Sequence, residues 1–242
     1  MSLGEVAAVS AVVAVAGFVS GLTAFGFALL AVPPLSMVLS PKEAVLLSML
    51  VGGVATFGLA YRLRSHVQRP LAGRLVLGAL LGMPLGLLVL LTVPADTLRL
   101  TIAAAVLVSV VLLWRGALIH GTGRRYDYVA GFTSGVLNTS VSTNGPPLVL
   151  VLQARRLPPD AFRGTLATVF VVSNVVAVLL VLVAGQLTRA LVTLALLVMP
   201  AMLAGWVLGV RLAPRLHPER FRNLVLGLLA VSAGVAALSV LV

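Results

Sequence analysis

Eight long apolar segments, separated by short connectors that hold nearly all of the charge, constrain this chain more than any other feature. A membrane-spanning helix needs about 20 consecutive apolar residues. Charged residues make up 10% of the chain, whereas a soluble domain carries roughly 25%. We therefore predict an all-α polytopic integral membrane protein. The segments lie at about 5–39, 43–61, 71–92, 97–114, 127–153, 164–185, 190–213 and 221–242.

Two of these segments, 5–39 and 127–153, are not simple helices. The first is too long for a single span at about 1.5 Å per residue. Proline removes a backbone donor and clashes with the preceding turn, so it interrupts a helix. The interruptions are Gly21, Gly26 and Pro33-Pro34 in the first segment, and the polar run 138–145 followed by Pro146-Pro147 in the second. We predict two broken segments, and the short arms of 127–153 favour a re-entrant hairpin over two full crossings.

The two halves of the chain share short motifs, which predicts an internal repeat. Four motifs recur in the same order: GFVSG at 17–21 as GFTSG at 131–135, VPPLSMVL at 32–39 as GPPLVLVL at 145–152, GMPLG at 82–86 as GWVLG at 205–209, and PADTLR at 94–99 as PERFR at 218–222. Each half is then one broken segment followed by three spans. The predicted organisation is a first repeat at 1–119, a cytoplasmic connector at 120–126 and a second repeat at 127–242, together one domain.

The basic residues determine the predicted orientation. Placing the connectors 62–74 and 211–222 in the cytoplasm puts 14 of the 17 lysine and arginine residues inside and leaves only Lys42, Arg99 and Arg189 outside. This asymmetry is the one that cytoplasmic retention of basic residues produces. Both termini are then predicted outside, and the two repeats are inverted relative to each other, as in many secondary transporters. Because the basic residues lie in connectors rather than on one face, we expect no nucleic acid partner.

The two breaks are the predicted functional site. Broken helices of inverted-repeat proteins meet near the membrane midplane. Each break leaves backbone N–H groups at a helix N-terminus, and these can bind an anion without a full positive charge. The candidate substrate-binding residues lie in the breaks and in the segment 164–185: Thr23, Phe25, Gly26, Asn138, Thr139, Thr143, Asn144, Gly145, Pro146, Asn174 and Arg163.

A packing role competes with this interpretation. Small and polar residues also hold membrane helices together, and for a single serine or threonine that role is favoured. A polar run that interrupts a span favours a site, because polar groups are costly in hydrocarbon. For Asn174 the two roles are balanced. Arg163 is favoured as a cytoplasmic orientation residue.

All six acidic residues lie at segment ends, which restricts the substrate and the chemistry. Cation pumps and proton relays keep a carboxylate in mid-span, so we predict an anionic or neutral substrate, and proton coupling has no obvious carrier. The chain has no cysteine, its three histidines lack ligand spacing, and it has no phosphate-binding loop or hydrolase motif. We expect no enzyme activity, no metal and no cofactor.

The stretches GFVSGLTAFGFALLAVPPL and GFTSGVLNTSVSTNGPPLVLVL, the second followed by LPPDAFRGTL, resemble the TauE/SafE family of sulfite exporters. The resemblance implies a secondary carrier, working as an exporter, for small sulfur-containing anions such as sulfite or organosulfonates. It implies alternating access around a midplane site between the two broken helices. The family pattern falls on Gly21, Gly26, Pro33, Asn144, Gly145, Pro146, Pro147 and Arg163.

The same resemblance implies a multi-pass protein of the bacterial inner membrane. Its partners would be the small anion and the lipid bilayer. A passive anion channel and a non-transporting membrane scaffold stay open as alternatives, and so do proton coupling and a homo-oligomer. The GxxxG spacing of the third motif permits close helix packing, either within the chain or between chains.

Overall fold

The computed structural model describes residues 2–114 and 123–213, together with Gly227 and Gly234. Over these residues the chain forms nine α-helices and no strand, which confirms the all-α prediction. The predicted segment 221–242 lies outside the described residues apart from the two glycines, and so does the start of the connector 120–126. The helices are α1 (Leu3–Thr23), α2 (Phe27–Val38), α3 (Pro41–Arg62), α4 (Arg69–Thr92), α5 (Ala95–Trp114), α6 (Arg124–Val141), α7 (Gly145–Ala154), α8 (Pro159–Val183) and α9 (Arg189–Leu212).

Six helices in the described part of the chain are long and apolar enough to cross a membrane: α1, α3, α4, α5, α8 and α9. The helices α2 and α7 are apolar but have only 12 and 10 residues. The helix α6 carries charged residues in its first turns, including Arg125 and Asp127. The chain is therefore a polytopic membrane protein, as its hydropathy predicts.

The helices that follow the two broken segments, α3 and α8, start at residues that favour a helix N-terminus. Ser40 and Glu43 form reciprocal hydrogen bonds, with the Ser40 amide 3.1 Å from the Glu43 carboxylate and the Glu43 amide 3.3 Å from Ser40 Oγ. This capping box satisfies amides that the first turn of α3 leaves open. Both α3 and α8 have proline as their first residue, Pro41 and Pro159, where its fixed φ suits a helix start.

The described chain divides into two compact units. The first, which we call the α1–α9 unit, takes in the described residues within 1–55, 93–110 and 187–242, and so contains α1, α2, α9 and most of α3 and α5. The second, the α4–α6 unit, takes in residues 56–92 and 111–186, and so contains α4, α6, α7 and α8. Each unit combines helices from both predicted repeats. The repeat boundaries themselves stay a prediction.

Glycines bring α4 and α6 into backbone contact within the α4–α6 unit. A methyl group on Gly78 would meet the carbonyl oxygen of Tyr128, and one on Gly82 would meet that of Phe132. Such close approach is typical of small residues at membrane helix interfaces. The contacts advance by four residues in the same sense on both helices, so α4 and α6 run parallel. They begin at the same end of the unit, as placing both basic connectors on one side requires.

The α1–α9 unit repeats this arrangement with a second parallel pair. A methyl group on Gly205 of α9 would meet the carbonyl oxygen of Ala14, and one on Gly209 would meet that of Phe18. The spacing of four residues is again the same on both helices. In each unit a broken-segment helix of one predicted repeat therefore packs on a spanning helix of the other predicted repeat.

These contacts shift one of the sequence correspondences by a helical turn. Phe18 and Phe132 hold the same position in GFVSG and GFTSG, and they meet Gly209 and Gly82. The structural counterpart of Gly209 is therefore Gly82, whereas the motifs GMPLG and GWVLG pair it with Gly86. The close packing that these glycines permit occurs within the chain. The predicted homo-oligomer stays a prediction.

Candidate functional site

The second break separates α6 from α7 by only three residues, 142–144. Ser142 has a left-handed backbone with φ of 59°. The amide of Ser142 donates to the Asn138 carbonyl at 3.0 Å, and the amide of Thr143 donates to the Leu137 carbonyl at 3.1 Å. These bonds close the C-terminal end of α6 in the way that a left-handed residue after a helix allows.

The predicted break, which began at Asn138, is too long, because residues 138–141 are helical. Their polar side chains find hydrogen-bond partners while the backbone stays helical. Ser140 Oγ donates to the Val136 carbonyl at 2.7 Å, one turn earlier on α6. Serine and threonine bonds of this kind are compatible with a continuing helix. The polar composition of 138–145 therefore predicted a longer interruption of the helix than the structure has.

The N-terminus of α7 follows this break directly and is poor in capping groups. The first four N–H groups of a helix have no partner within the helix, and Pro146 and Pro147 have no N–H. The donors at this end are therefore the backbone amides of Asn144, the N-cap residue, and Gly145, the first residue of the helix. Asn144 occupies the N-cap position, but its side chain accepts no hydrogen bond from the first turn of α7. Its side-chain amide forms no hydrogen bond within residues 2–114 and 123–213. The helix dipole and these donors suit an anion.

Buried polar groups of α6 and α8 support the break. Ser134 Oγ donates to the Asn144 carbonyl at 2.8 Å, which ties the break to the preceding helix. Asn138 Nδ2 donates to the Ser173 carbonyl at 3.3 Å, which ties α6 to the middle of α8. Ser173 Oγ is buried and has no hydrogen-bond partner among the described residues. An unpartnered buried hydroxyl is costly, and a polar ligand would remove that cost.

The structure brings most of the candidates from the second half together at this break. Asn174 is the residue after Ser173 on α8, so its backbone lies next to the Ser173 carbonyl that accepts from Asn138. Sequence reasoning missed Ser134, although it belongs to the repeated motif GFTSG. The candidates that lie at the break or beside it are Asn138, Thr143, Asn144, Gly145, Pro146 and Asn174.

Thr139 and Arg163 lie elsewhere in the α4–α6 unit. Thr139 Oγ1 lies 2.7 Å from the Met83 carbonyl, so its hydroxyl joins α6 to α4. Arg163 precedes Asn174 by 11 residues, which is about 16 Å along α8 at the usual helical rise. The geometry places Thr139 in helix packing and Arg163 toward the start of α8.

The first break, in the α1–α9 unit, is a tight turn at residues 24–26. Ala24 and Gly26 both have left-handed backbones, with φ of 67° and 88°. Thr23 Oγ1 accepts from the Phe25 amide at 3.2 Å and contacts the Phe25 carbonyl oxygen. The hydroxyl of the candidate Thr23 is therefore occupied in closing the turn. The candidates Phe25 and Gly26 form the turn itself and lead directly into α2.

Pro33 and Pro34 lie inside α2 rather than at the break, so the prediction that they interrupt the first segment is wrong. Backbone outside a helix cannot be solvated in apolar surroundings, so the chain gives up two amide donors and stays helical. The helices α2 and α7, with 12 and 10 residues, measure about 18 and 15 Å. Both fall short of a hydrocarbon core about 30 Å thick.

An ion cluster lies at the open end of the α6–α7 hairpin. Asp127, in the first turn of α6, is fully buried. Its carboxylate accepts from Arg74 Nε of α4 at 2.7 Å and from Arg155 Nη2, just after α7, at 2.6 Å. Sequence reasoning placed Asp127 at the start of the segment 127–153 and Arg155 in the connector that follows it, and did not pair them. The hairpin prediction was the available signal, because a hairpin brings the two ends of that segment together.

Within the described residues, six helices of spanning length and two short helices that start at breaks define the class of protein. It is a polytopic α-helical membrane protein in which two short apolar helices each follow a break in the chain. Residues 9–236 match the family model for the sulfite exporter TauE/SafE, and the chain therefore belongs to this family of membrane transporters of sulfite or related anions. No curated protein and no solved structure matches the chain.

Proposed function

We propose that this chain is a secondary carrier that exports small sulfur-containing anions, such as sulfite or organosulfonates, by alternating access. The observation that carries the proposal is the N-terminus of α7. It offers the backbone amides of Asn144 and Gly145, and beside them the side-chain carboxamide of Asn144, which forms no hydrogen bond among the described residues. The unpartnered Ser173 hydroxyl lies on the helix that Asn138 contacts. These neutral donors suit the oxygen atoms of a sulfite or sulfonate group.

The charge of the surrounding unit favours an anion over a cation. The sequence of the α4–α6 unit contains ten arginines and two aspartates. One of the aspartates, Asp127, already binds two arginines. A positive unit raises the local concentration of anions. Neutral donors at the site itself bind more weakly than a charged group would, which suits a carrier that must release its substrate.

Uptake of labelled sulfite into proteoliposomes tests the proposal. Competition by sulfate, thiosulfate, taurine and sulfoacetate ranks the substrates, and a pH gradient tests proton coupling. We expect saturable uptake and stimulation by unlabelled anion on the opposite side. Uptake without such stimulation would identify a passive channel instead. A folded protein that gives no uptake and is not stabilised by any of these anions would be a membrane scaffold.

The variant N144A tests the site, with Q153A as its matched control. Both variants remove a carboxamide from the same short helix region, but Gln153 is exposed at the opposite end of α7. We expect N144A to raise the KM for sulfite about tenfold, as the loss of one hydrogen bond to a charged group would. We expect Q153A to match the wild type, and both variants to keep its unfolding midpoint. An unchanged KM in N144A would remove Asn144 from the site.

A further inference from the structure

The ion cluster of Asp127 connects three helices through one carboxylate. Oδ2 accepts from Arg74 Nε at 2.7 Å and from Arg155 Nη2 at 2.8 Å, and Oδ1 accepts from Arg155 Nη2 at 2.6 Å. The two arginines have the same side-chain exposure, 21%, and the aspartate has none. They differ in what they join. Arg155 joins the two ends of the α6–α7 hairpin, and Arg74 joins the hairpin to α4.

The fold does not require a charged cluster at this place. By the alignment of GFVSG with GFTSG, the counterpart of Asp127 in the first half is Val13. Val13 is also fully buried, and apolar packing suffices there. Burying an ion pair is seldom more stabilising than burying apolar residues of similar size. The cluster of the second half therefore calls for a role other than stability.

We propose that Arg155 is a positioning residue for the anion donors at the start of α7. It holds the far end of this ten-residue helix against α6 through Asp127, and so sets the direction in which the α7 N-terminus points. The near end is tied to α6 by the bond from Ser134 Oγ to the Asn144 carbonyl. Arg74 anchors the same carboxylate to α4, but glycine packing already joins α4 to α6. This inference rests on the proposed function.

The variants R155Q and R74Q form a matched pair that tests this role. Each leaves Asp127 with one arginine, whereas D127N would leave two partly buried arginines without a carboxylate between them. We expect R155Q to raise the KM for sulfite about tenfold, the equivalent of one charge-assisted hydrogen bond. We expect R74Q to lower the unfolding midpoint while leaving the KM within about twofold of wild type. Because Arg155 binds through a single nitrogen, R155K should recover most of the wild-type KM.

Hydrogen exchange of the amides in 142–149 gives a readout that does not depend on transport. R155Q should exchange faster than wild type in this stretch, and R74Q should not. Equal KM changes in the two variants, or wild-type exchange in R155Q, would overturn the proposal. If the wild type takes up none of the anions, the proposed function fails. The exchange comparison then decides by itself whether Arg155 orders the start of α7.

Discussion

Replacing Gly82 by alanine tests the parallel packing of α4 on α6. The added methyl group would meet the Phe132 carbonyl oxygen, and it would lie 3.0 Å from the Phe132 carbonyl carbon and from the Val136 amide nitrogen. Ordinary van der Waals contact begins near 3.4 Å. All three atoms belong to the backbone of α6, so no side chain can turn away. The two helices would have to separate locally.

Gly73, on the same helix, is the matched control. No described atom lies within 4 Å of a methyl group placed there. Replacing glycine by alanine inside a helix gains up to about 1 kcal/mol of helix propensity, and both variants receive that gain. Overpacking a close contact costs about 1–3 kcal/mol. G82A should therefore be less stable than G73A by about 1–3 kcal/mol, and the difference isolates the helix contact.

Reversible unfolding in mixed micelles of mild detergent and dodecyl sulfate, followed by circular dichroism, measures the difference. We expect G73A to unfold at the same or a higher dodecyl sulfate fraction than wild type, and G82A at a lower one. Equal midpoints for G82A and G73A would refute the contact geometry. A midpoint lowered equally in both variants would show that α4 tolerates no alanine and that packing on α6 is not the cause.

Two further substitutions test the turns that position the helices. T165V removes the hydroxyl that accepts from the Gln68 amide at 3.0 Å, and leaving a backbone amide unpaired should lower the free energy of unfolding by about 1–3 kcal/mol. Faster exchange of the Gln68 amide would accompany the loss, and wild-type exchange would contradict it. G26A adds a side chain at φ of 88°, where no described atom lies within 4 Å. It should cost about 1–2 kcal/mol of backbone strain alone, and an unchanged unfolding midpoint would show that this turn relaxes.

Local signals in the sequence determined the class of fold and the position of the irregular segments. Hydropathy and run length are local properties, so the spanning helices could be read from them, and the helix starts at Pro41 and Pro159 follow from the residues there. The motif pairs were enough to indicate the family. The breaks were located only approximately, because 138–141 and Pro33-Pro34 carry helix-weakening residues that the surrounding helix accommodates.

Only the tertiary structure decided which residues meet across the chain. Gly82 contacts Phe132, Arg74 contacts Asp127, and Gln68 contacts Thr165, each across a large sequence separation. Motif similarity paired Gly209 with Gly86 instead of Gly82, an error of one helical turn. Gly78, Gly82 and Gly86 are each four residues apart, so the spacing alone does not show which two of them correspond to Gly205 and Gly209. Hydropathy could not reveal that Asp127 is buried between two arginines, since a charged residue at a segment end reads as exposed. Contacts of this kind depend on how helices pack against each other, and the local sequence around each residue does not determine that packing.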